Sequence, residues 1–272
     1  MQIGIFAKTF PGTEPLGILS AVRDSGYACA QFNLACYGLP SMPDSVSEET
    51  ITAIRASVEA TGISLVALSG TYNMAHPDII VRRSGLAQLA VIIETAAALA
   101  IPLVTLCTGT RDPNDQWAHH PDNGDVSAWA DMAAEMSKAL ELAERHGVDL
   151  GIEPEQANIV TSARDARRLI DEMGSARLRI VLDPANLFEQ AARAQARAIV
   201  AEAVEISAGH IALAHAKDRH GDGRFAIAGQ GVVDFADFIA RLRSVNFDGP
   251  LVTHGLPASE AASVAGFLKA LI

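Results

Sequence analysis

Short runs of almost continuous apolar residues alternate, from one end of the chain to the other, with longer Ala-rich segments whose apolar positions recur every three to four residues. Strands without a polar face are typical of parallel sheets that helices cover. We therefore predict strands at the short runs, namely Gln2–Ala7, Tyr27–Phe32, Ser64–Ser69, Leu103–Thr108, Asp149–Glu153, Arg179–Asp183, His210–Ala216 and Pro250–His254.

The segments between the strands carry helical spacing and stop signals. In the fourth helix one face holds the apolar side chains, and Gly147 follows as a C-terminal stop. The members of that face are Trp129, Met132, Ala133, Met136, Leu140 and Ala143. The fifth helix begins near Thr161 or Ser162 and ends at Gly174, with Ala166, Leu169, Ile170 and Met173 facing inward.

Strands and helices in strict alternation predict an α/β fold, and eight βα units in about 250 residues describe a single (β/α)8 TIM barrel. We expect one domain over residues 1–272. A doubly wound open sheet is the alternative, because periodicity does not fix topology. No GxGxxG follows the first strand, which weighs against a dinucleotide-binding version of that sheet.

Composition narrows the classes of function. With 272 residues, 49% hydrophobic and 19% charged, the chain can bury a large core. Its formal charge of −11 repels phosphate backbones and no basic cluster offsets it, so we expect no nucleic-acid partner. Cys29, Cys36 and Cys107 are odd in number and unrelated in spacing, which supports neither disulfides nor a CxxC metal site and favours a reducing cytoplasm.

We expect no membrane association and no signal peptide. The N-terminal segment lacks a basic region followed by an apolar run and a small-residue cleavage site. The most apolar stretch is Leu86–Leu106, and Gln88, Glu94 and Pro102 interrupt it. A buried helix followed by a strand explains that stretch better than a transmembrane span.

Four neighbouring strands end on a carboxylate or an imidazole: Glu153, Asp183, His215 and His254. In a TIM barrel the C-terminal strand ends meet at one rim, where the chemistry gathers. Two carboxylates and two neutral histidines suit a divalent cation and balance its charge. Each residue taken alone is equally typical of a side chain that caps a helix or pairs with a loop.

The pieces GIEPEQAN, VLDPANLF, LAHAKD, AGQGVVDF and DGPLVTHGL lie in this order between residues 151 and 257. They resemble the xylose isomerase-like TIM barrels, a superfamily of sugar isomerases, keto-sugar epimerases, inosose dehydratase relatives and apurinic endonucleases. The resemblance implies a metal bound by Glu153, Asp183 and His215, with a fourth ligand from the last strand.

The resemblance implies a metal-dependent isomerase or epimerase that acts on a sugar, a keto-sugar or a related polyol or sugar acid through a metal-stabilised enediolate. The alternatives are a dehydratase or lyase acting on a keto-sugar or inosose, and a sugar-binding barrel without activity. An apurinic endonuclease is disfavoured, because Cys107 and Thr108 stand where that branch needs a histidine. Manganese is the favoured ion and zinc a close second because of the two histidines, with Co²⁺ and Mg²⁺ also admissible.

Two departures from the epimerase branch bear on the reaction. That branch has a glutamate where this chain has His254, and often a histidine where this chain has Asn186, which is here a candidate substrate ligand. A pair of glutamates on opposite faces of the substrate is therefore not expected. If His254 is a ligand, Glu153 or Glu155 is the candidate for proton transfer.

Further candidates lie in the loops that follow the strands. Lys217 could bind a substrate oxygen, form a Schiff base or pair with Asp218. The other candidate substrate ligands are Lys8, His76, and Arg111 and Trp117 from the long loop 108–125. Arg111, His76 and Trp117 have structural alternatives, and His119 and His120 are predicted to be surface residues. The AGQG turn at 228–231 is predicted to be architecture, and a homo-oligomer is expected by analogy only.

Overall fold

The computed structural model describes residues 1–272 and contains a closed barrel of eight parallel strands. The barrel strands are β1 (Gln2–Phe6), β2 (Cys29–Phe32), β3 (Ser64–Ser69), β4 (Leu103–Leu106), β5 (Asp149–Ile152), β6 (Leu178–Leu182), β7 (Ile211–Ala216) and β10 (Pro250–Thr253). Gly4 of β1 pairs with Cys29 on one side and with Val252 on the other, which closes the sheet. The predicted TIM barrel is confirmed, and the open sheet is excluded.

Eight helices surround the barrel: α1 (Pro15–Asp24), α2 (Glu48–Thr61), α3 (Ile79–Ala98), α4 (Val126–His146), α5 (Ala163–Met173), α6 (Arg193–Ile206), α7 (Phe235–Ser244) and α8 (Ala261–Lys269). Their apolar faces and the outward faces of the strands form one large core. The stop signals are confirmed, because Gly147 and Gly174 adopt left-handed backbone angles after α4 and α5. Ser162 caps α5 by accepting the N–H of Asp165.

Several predicted strand boundaries differ from those of the structure by one or two residues. Glu153, Asp183 and His254 follow their strands instead of ending them. Asp183 leaves the sheet because its side chain accepts the N–H of Ala185 and starts a 3-10 turn. The predicted apolar face of α4 is confirmed, because even the half-buried Trp129 packs against the core while its indole donates to Glu172.

A short hairpin follows β7 and has no counterpart among the predicted elements. Its strands, β8 (Asp218–Arg219) and β9 (Phe225–Ala226), are antiparallel and lie outside the barrel sheet. Each is only two residues long, so no hydrophobic periodicity could have indicated it.

The apolar stretch before β4 is a helix followed by a strand, as predicted, because α3 ends at Ala98 and β4 begins at Leu103. None of the helices combines the length and the apolarity that crossing a bilayer requires. The three cysteines are buried, unpaired thiols.

Alternation along the strands builds the barrel interior in layers. Inside the barrel a small apolar cluster holds Ala67, Leu103, Val181, Leu213 and Val252, one from each of five strands. A Cβ on Gly151 would lie 2.7 Å from Val181 Cγ2, so this glycine completes the layer where no side chain fits. Because every second residue of a strand faces the same side, the residues two positions further on point inward at the C-terminal rim.

We predict that Leu213→Ala lowers the free energy of unfolding by about 2–5 kcal/mol, because it leaves a cavity in the closed interior. Leu213 is fully buried, whereas Leu16 on α1 is 51% exposed, so Leu16→Ala is a matched control that changes stability by less than about 0.5 kcal/mol. Urea unfolding measures both variants. Equal losses would contradict the proposed layering.

Candidate metal centre

Four side chains converge at the C-terminal rim of the barrel. Glu153, Asp183, His215 and His254 each offer one ligand atom, and these atoms all lie within 4.8 Å of one another. Three of these residues stand two positions after a member of the interior layer: Asp183 after Val181, His215 after Leu213 and His254 after Val252. Glu153 stands in the same relation to Gly151. The two-residue period of four adjacent strands therefore brings the predicted ligands together.

Asp183 lies at the centre of the group and is fully buried. Its Oδ2 atom is 3.0 Å from His254 Nε2 and 3.5 Å from His215 Nδ1. The other neighbour of His215 Nδ1 is Glu153 Oε1, also at 3.5 Å. The two imidazole rings are tilted, with their centroids 4.5 Å apart. Both carboxylates thus face the same ring nitrogen.

Electrostatics hold Asp183 charged despite its burial. Burial favours the neutral carboxyl, but Lys217 and the two histidines outweigh it and hold the pKa of Asp183 well below its ordinary value. The pKa of His254 is lowered, first by burial and then by the neighbouring His215. A neutral imidazole at position 254 is the form in which histidine binds metals.

The orientation of His215 is set from the opposite side of its ring. Its Nε2 lies 3.0 Å from Oε1 of Gln31, an atom that can only accept a hydrogen bond. Its Nδ1 is buried and has no hydrogen-bond partner, although two carboxylates lie 3.5 Å away. Burial opposes protonation of this ring, but Glu153 and Asp183 outweigh it and raise the pKa of His215 to about 9. The site therefore takes up positive charge at this position.

These observations fit a divalent cation. The orphaned Nδ1, the two carboxylate oxygens beside it and the Nε2 of His254 form a set of hard and borderline donors that all face one point. A cation between them would replace the proton that the carboxylates draw onto His215, and it would balance their two negative charges.

A row of two hydrogen bonds, from Lys217 to Asn186 and from Asn186 to Glu153, supports the carboxylate of Glu153. Lys217 Nζ donates to Asn186 Oδ1 at 2.8 Å, and Asn186 Nδ2 donates to Glu153 Oε1 at 2.6 Å. Because an ammonium group only donates, the amide orientation of Asn186 follows from its partner. Lys217 also lies 3.9 Å from Asp183 Oδ2. Asn186 and Lys217 thus contact the predicted ligands directly.

Glu155 stands beside this row with its carboxylate free of hydrogen bonds within the chain, because only its backbone N–H and C=O are engaged. Burial, followed by the negative charge of Glu153, raises its pKa to about 7.

Arg111 and His76 already have structural partners. The guanidinium of Arg111 lies 2.8 Å from Asp131 Oδ2 of α4 and donates to the carbonyl of Ala75. The ring of His76 accepts the N–H of Asp78 and contacts the carbonyl of Pro113. These contacts give both residues a structural role, and substrate binding by either one stays a prediction.

Lys8 and Trp117 remain predictions as substrate ligands. Lys8 is exposed in the 3-10 turn after β1 and forms no ion pair. Trp117 is 48% exposed, and only its backbone N–H is bonded, to Asp115. His119 is exposed and His120 caps the 3-10 turn that begins at Pro121, as expected of surface residues.

The AGQG turn wraps around a carboxylate of the chain itself. Asp218 is fully buried and accepts the backbone N–H groups of Arg219, Gly229, Gly231 and Val233. The turn is therefore architecture, as predicted, and it holds the segment after β7 in place. Asp218 is thereby engaged elsewhere, so the suggested pair between Lys217 and Asp218 is wrong.

The polar residues on the opposite half of the rim were not predicted from the sequence. Gln31, Ser69 and Thr105 occupy the same layer on β2, β3 and β4, and the amide of Gln31 donates to both hydroxyls. A signal was present for two of them, since Ser69 and Thr105 stand two positions after Ala67 and Leu103 of the interior layer, but uncharged polar side chains are less conspicuous than charged ones. Phe225 of the unpredicted hairpin was also missed, and its ring lies 3.9 Å from Lys217 Nζ.

The fold and the site together define a class of protein. It is a (β/α)8 barrel whose C-terminal rim carries a cluster of carboxylates and histidines. The sequence profile of the xylose isomerase-like TIM barrel family matches residues 19–271. The chain belongs to this family.

Known proteins give more distant likenesses. A 2-epi-5-epi-valiolone 7-phosphate 2-epimerase of Actinoplanes sp. is 30% identical over 135 residues, which span 49% of this chain and 44% of that enzyme. The structure of the 3-keto-D-glucoside 4-epimerase YcjR of E. coli aligns over 99% of both chains with a TM-score of 0.77 and 18% identity. The IOLI protein, solved with a bound zinc atom, aligns over 99% of this chain and 96% of its own with a TM-score of 0.74 and 15% identity. At these identities the two structures show the fold alone.

We predict that Arg111→Ala and Asp131→Ala each lower the free energy of unfolding by about 1–3 kcal/mol. Arg111→Ala removes one of the two guanidinium partners of Asp131, the other being Arg82, and Asp131→Ala leaves both guanidinium groups without their carboxylate. The double variant should lose less than the sum, with a coupling of at least about 0.5 kcal/mol in thermal or urea unfolding. Strictly additive losses would show that the pair is not an anchor.

Proposed function

We propose that this protein is a divalent-metal-dependent isomerase or epimerase of a keto-sugar or a related polyol or sugar acid. The observation that carries the proposal is the orphaned Nδ1 of His215, which faces two carboxylates in a buried site with His254 beside them. Membership of the xylose isomerase-like family supports the same class of chemistry. The three buried thiols fit a reducing compartment, so we place the enzyme in the cytoplasm.

Glu153, Asp183, His215 and His254 would hold the ion, with manganese favoured and zinc the close second. When bound, a divalent cation supplies Lewis acidity, which makes a C–H bond beside a carbonyl easier to deprotonate. The chain supplies the rest of the site. Asn186 and Lys217 hold Glu153 in place through two short hydrogen bonds.

Proton transfer falls to Glu155 in this proposal. Glu153 is engaged by Asn186, whereas Glu155 has a carboxylate without a partner close to the four ligands. A carboxylate in this position can take a proton from the carbon beside a substrate carbonyl and return it. Lys217 keeps donor capacity beyond its bond to Asn186 and would bind a substrate oxygen.

The curated relative, named as a 2-epi-5-epi-valiolone 7-phosphate 2-epimerase, supports an epimerase. The name of the 3-keto-D-glucoside 4-epimerase places a keto group next to the inverted carbon, which supports a carbohydrate substrate with a carbonyl next to the reacting carbon. Because the curated relative is matched over only 44% of its length, its activity enters here as part of the proposal.

A dehydratase acting on a keto-sugar or inosose is the second candidate, and the histidine at position 254 favours it. Inversion at a carbon needs proton transfer on both faces of the substrate, and His254 contacts Asp183 instead of standing free as a base. Elimination of water begins with the same deprotonation but requires a base on one face only.

We predict that the purified protein binds one divalent ion per chain and that Asp183→Asn weakens the affinity by more than about 100-fold, since loss of a ligand exceeds the loss of a supporting residue. Calorimetric titration with Mn²⁺ and Zn²⁺ of metal-stripped protein measures both. Asp24→Asn on the surface of α1 is the matched control and should bind as the wild type does. Equal binding by both variants would refute the site.

We predict that the metal-loaded enzyme exchanges solvent deuterium into at least one compound of a panel of keto-sugars, inososes and sugar acids. Glu155→Gln should slow this exchange by about 100- to 10,000-fold while keeping its metal, because it removes the base and not a ligand. Glu59→Gln on the exposed face of α2 is the matched control. Mass spectrometry of the recovered material separates exchange and inversion from loss of water.

Two outcomes of that screen would count against the proposal. If metal-loaded wild type exchanged no deuterium with any member of the panel, the isomerase, epimerase and dehydratase assignments would all fail. If Glu155→Gln exchanged deuterium at the wild-type rate, proton transfer would have to be reassigned to Glu153.

A further inference from the structure

A layer of uncharged polar residues lies on the side of His215 that faces away from the carboxylates. Gln31 is buried on β2, and its Oε1 is 3.0 Å from His215 Nε2. Its amide nitrogen donates to Ser69 Oγ at 3.1 Å and to Thr105 Oγ1 at 3.2 Å. All the polar atoms of this amide are therefore engaged, the nitrogen with two hydroxyls and the oxygen with the ring of His215.

The orientation of the amide decides which ring nitrogen of His215 carries a proton. An amide oxygen cannot donate, so Nε2 must donate to Gln31. In the neutral ring Nδ1 then keeps a free lone pair, and this is the atom that lies 3.5 Å from both Glu153 and Asp183. The opposite tautomer would place an N–H at the point where the other three ligand atoms converge.

We propose that Gln31 is a positioning residue that fixes the tautomer and the ring orientation of His215, so that Nδ1 is the ligand atom. Ser69 and Thr105 act through Gln31 by holding its amide nitrogen away from the ring. This inference rests on the proposed metal site, and it adds to that site three residues on strands that supply no ligand.

The role of Gln31 as a hydrogen-bond acceptor can be separated from a role in packing. Methionine has nearly the volume and shape of glutamine but no strong acceptor. In Gln31→Met the Nε2–H of His215 loses its partner, and the proton is free to move to Nδ1 between the carboxylates. Supporting residues of this kind typically change metal affinity by about 10- to 100-fold. Glutamate at position 31 keeps an acceptor at the same place and should restore the affinity.

The first test is the zinc affinity of metal-stripped protein, measured by calorimetry, with circular dichroism as the check on folding. We expect Gln31→Met to bind zinc about 10- to 100-fold more weakly than wild type, and Gln31→Glu to bind within about threefold of wild type. Ser69→Ala combined with Thr105→Val leaves Gln31 in place but releases its amide, and it should also weaken binding.

The second test reads the ring directly. Long-range ¹H–¹⁵N spectra of zinc-loaded protein with ¹⁵N-labelled histidine should show His215 with a proton on Nε2 and the metal on Nδ1. The signals are assigned by their loss in His215→Gln. In Gln31→Met the slowly exchanging Nε2–H signal should disappear or exchange rapidly, an effect that a purely structural role would not cause.

Three outcomes would overturn the inference. Zinc bound to Nε2 in the wild type would show that the tautomer is the opposite one. Wild-type zinc affinity in Gln31→Met would show that the acceptor is not needed, while the metal site itself would stand. A wild-type protein that binds no zinc or manganese would remove the proposed function, and this inference with it.

Discussion

The two-residue period of side chains on a closed parallel barrel is the constraint on which the rest of this structure depends. Because the interior must be filled, Val181, Leu213 and Val252 point inward, and the next inward position on each strand is then at the rim. A shift of one residue in any of these strands would turn its rim residue toward the helices. Packing in the barrel therefore sets the geometry of the site above it.

The second constraint is the balance of charge at the rim, directly above the packed interior of the barrel. Asp183 is fully buried and Glu153 lies beside it, so the rim holds concentrated negative charge. Lys217 and the two imidazoles offset this negative charge. Lys217 lies close to Asp183 and supports Glu153 through Asn186. One buried ring nitrogen still has no hydrogen-bond partner, His215 Nδ1. A buried polar atom without a partner is costly unless something outside the chain satisfies it, which is why a cation fits the account better than a purely structural cluster.

Much of this could be predicted from the sequence, because apolar strands and helix caps are local signals and strand ends in a barrel share one rim. The four candidate ligands could be predicted because a charged or ionisable residue directly after an apolar run is conspicuous in a sequence. Gln31, Ser69 and Thr105 occupy equivalent positions but carry no charge, so only their contacts reveal them. The ion pair between Arg111 and Asp131 could not be predicted either, because it depends on how helix α4 packs against the loop. The hairpin with Phe225 has strands too short for any periodicity.

The fold and the family indicate sugar chemistry. His254 distinguishes this site from a symmetric pair of glutamates. Which reaction the site can perform therefore depends on what its four side chains bind. The most direct measurement is anomalous X-ray diffraction from crystals grown with manganese or zinc. The account predicts a single strong peak at the rim, in contact with Glu153, Asp183, Nδ1 of His215 and Nε2 of His254. A fully ordered rim without an anomalous peak would contradict it.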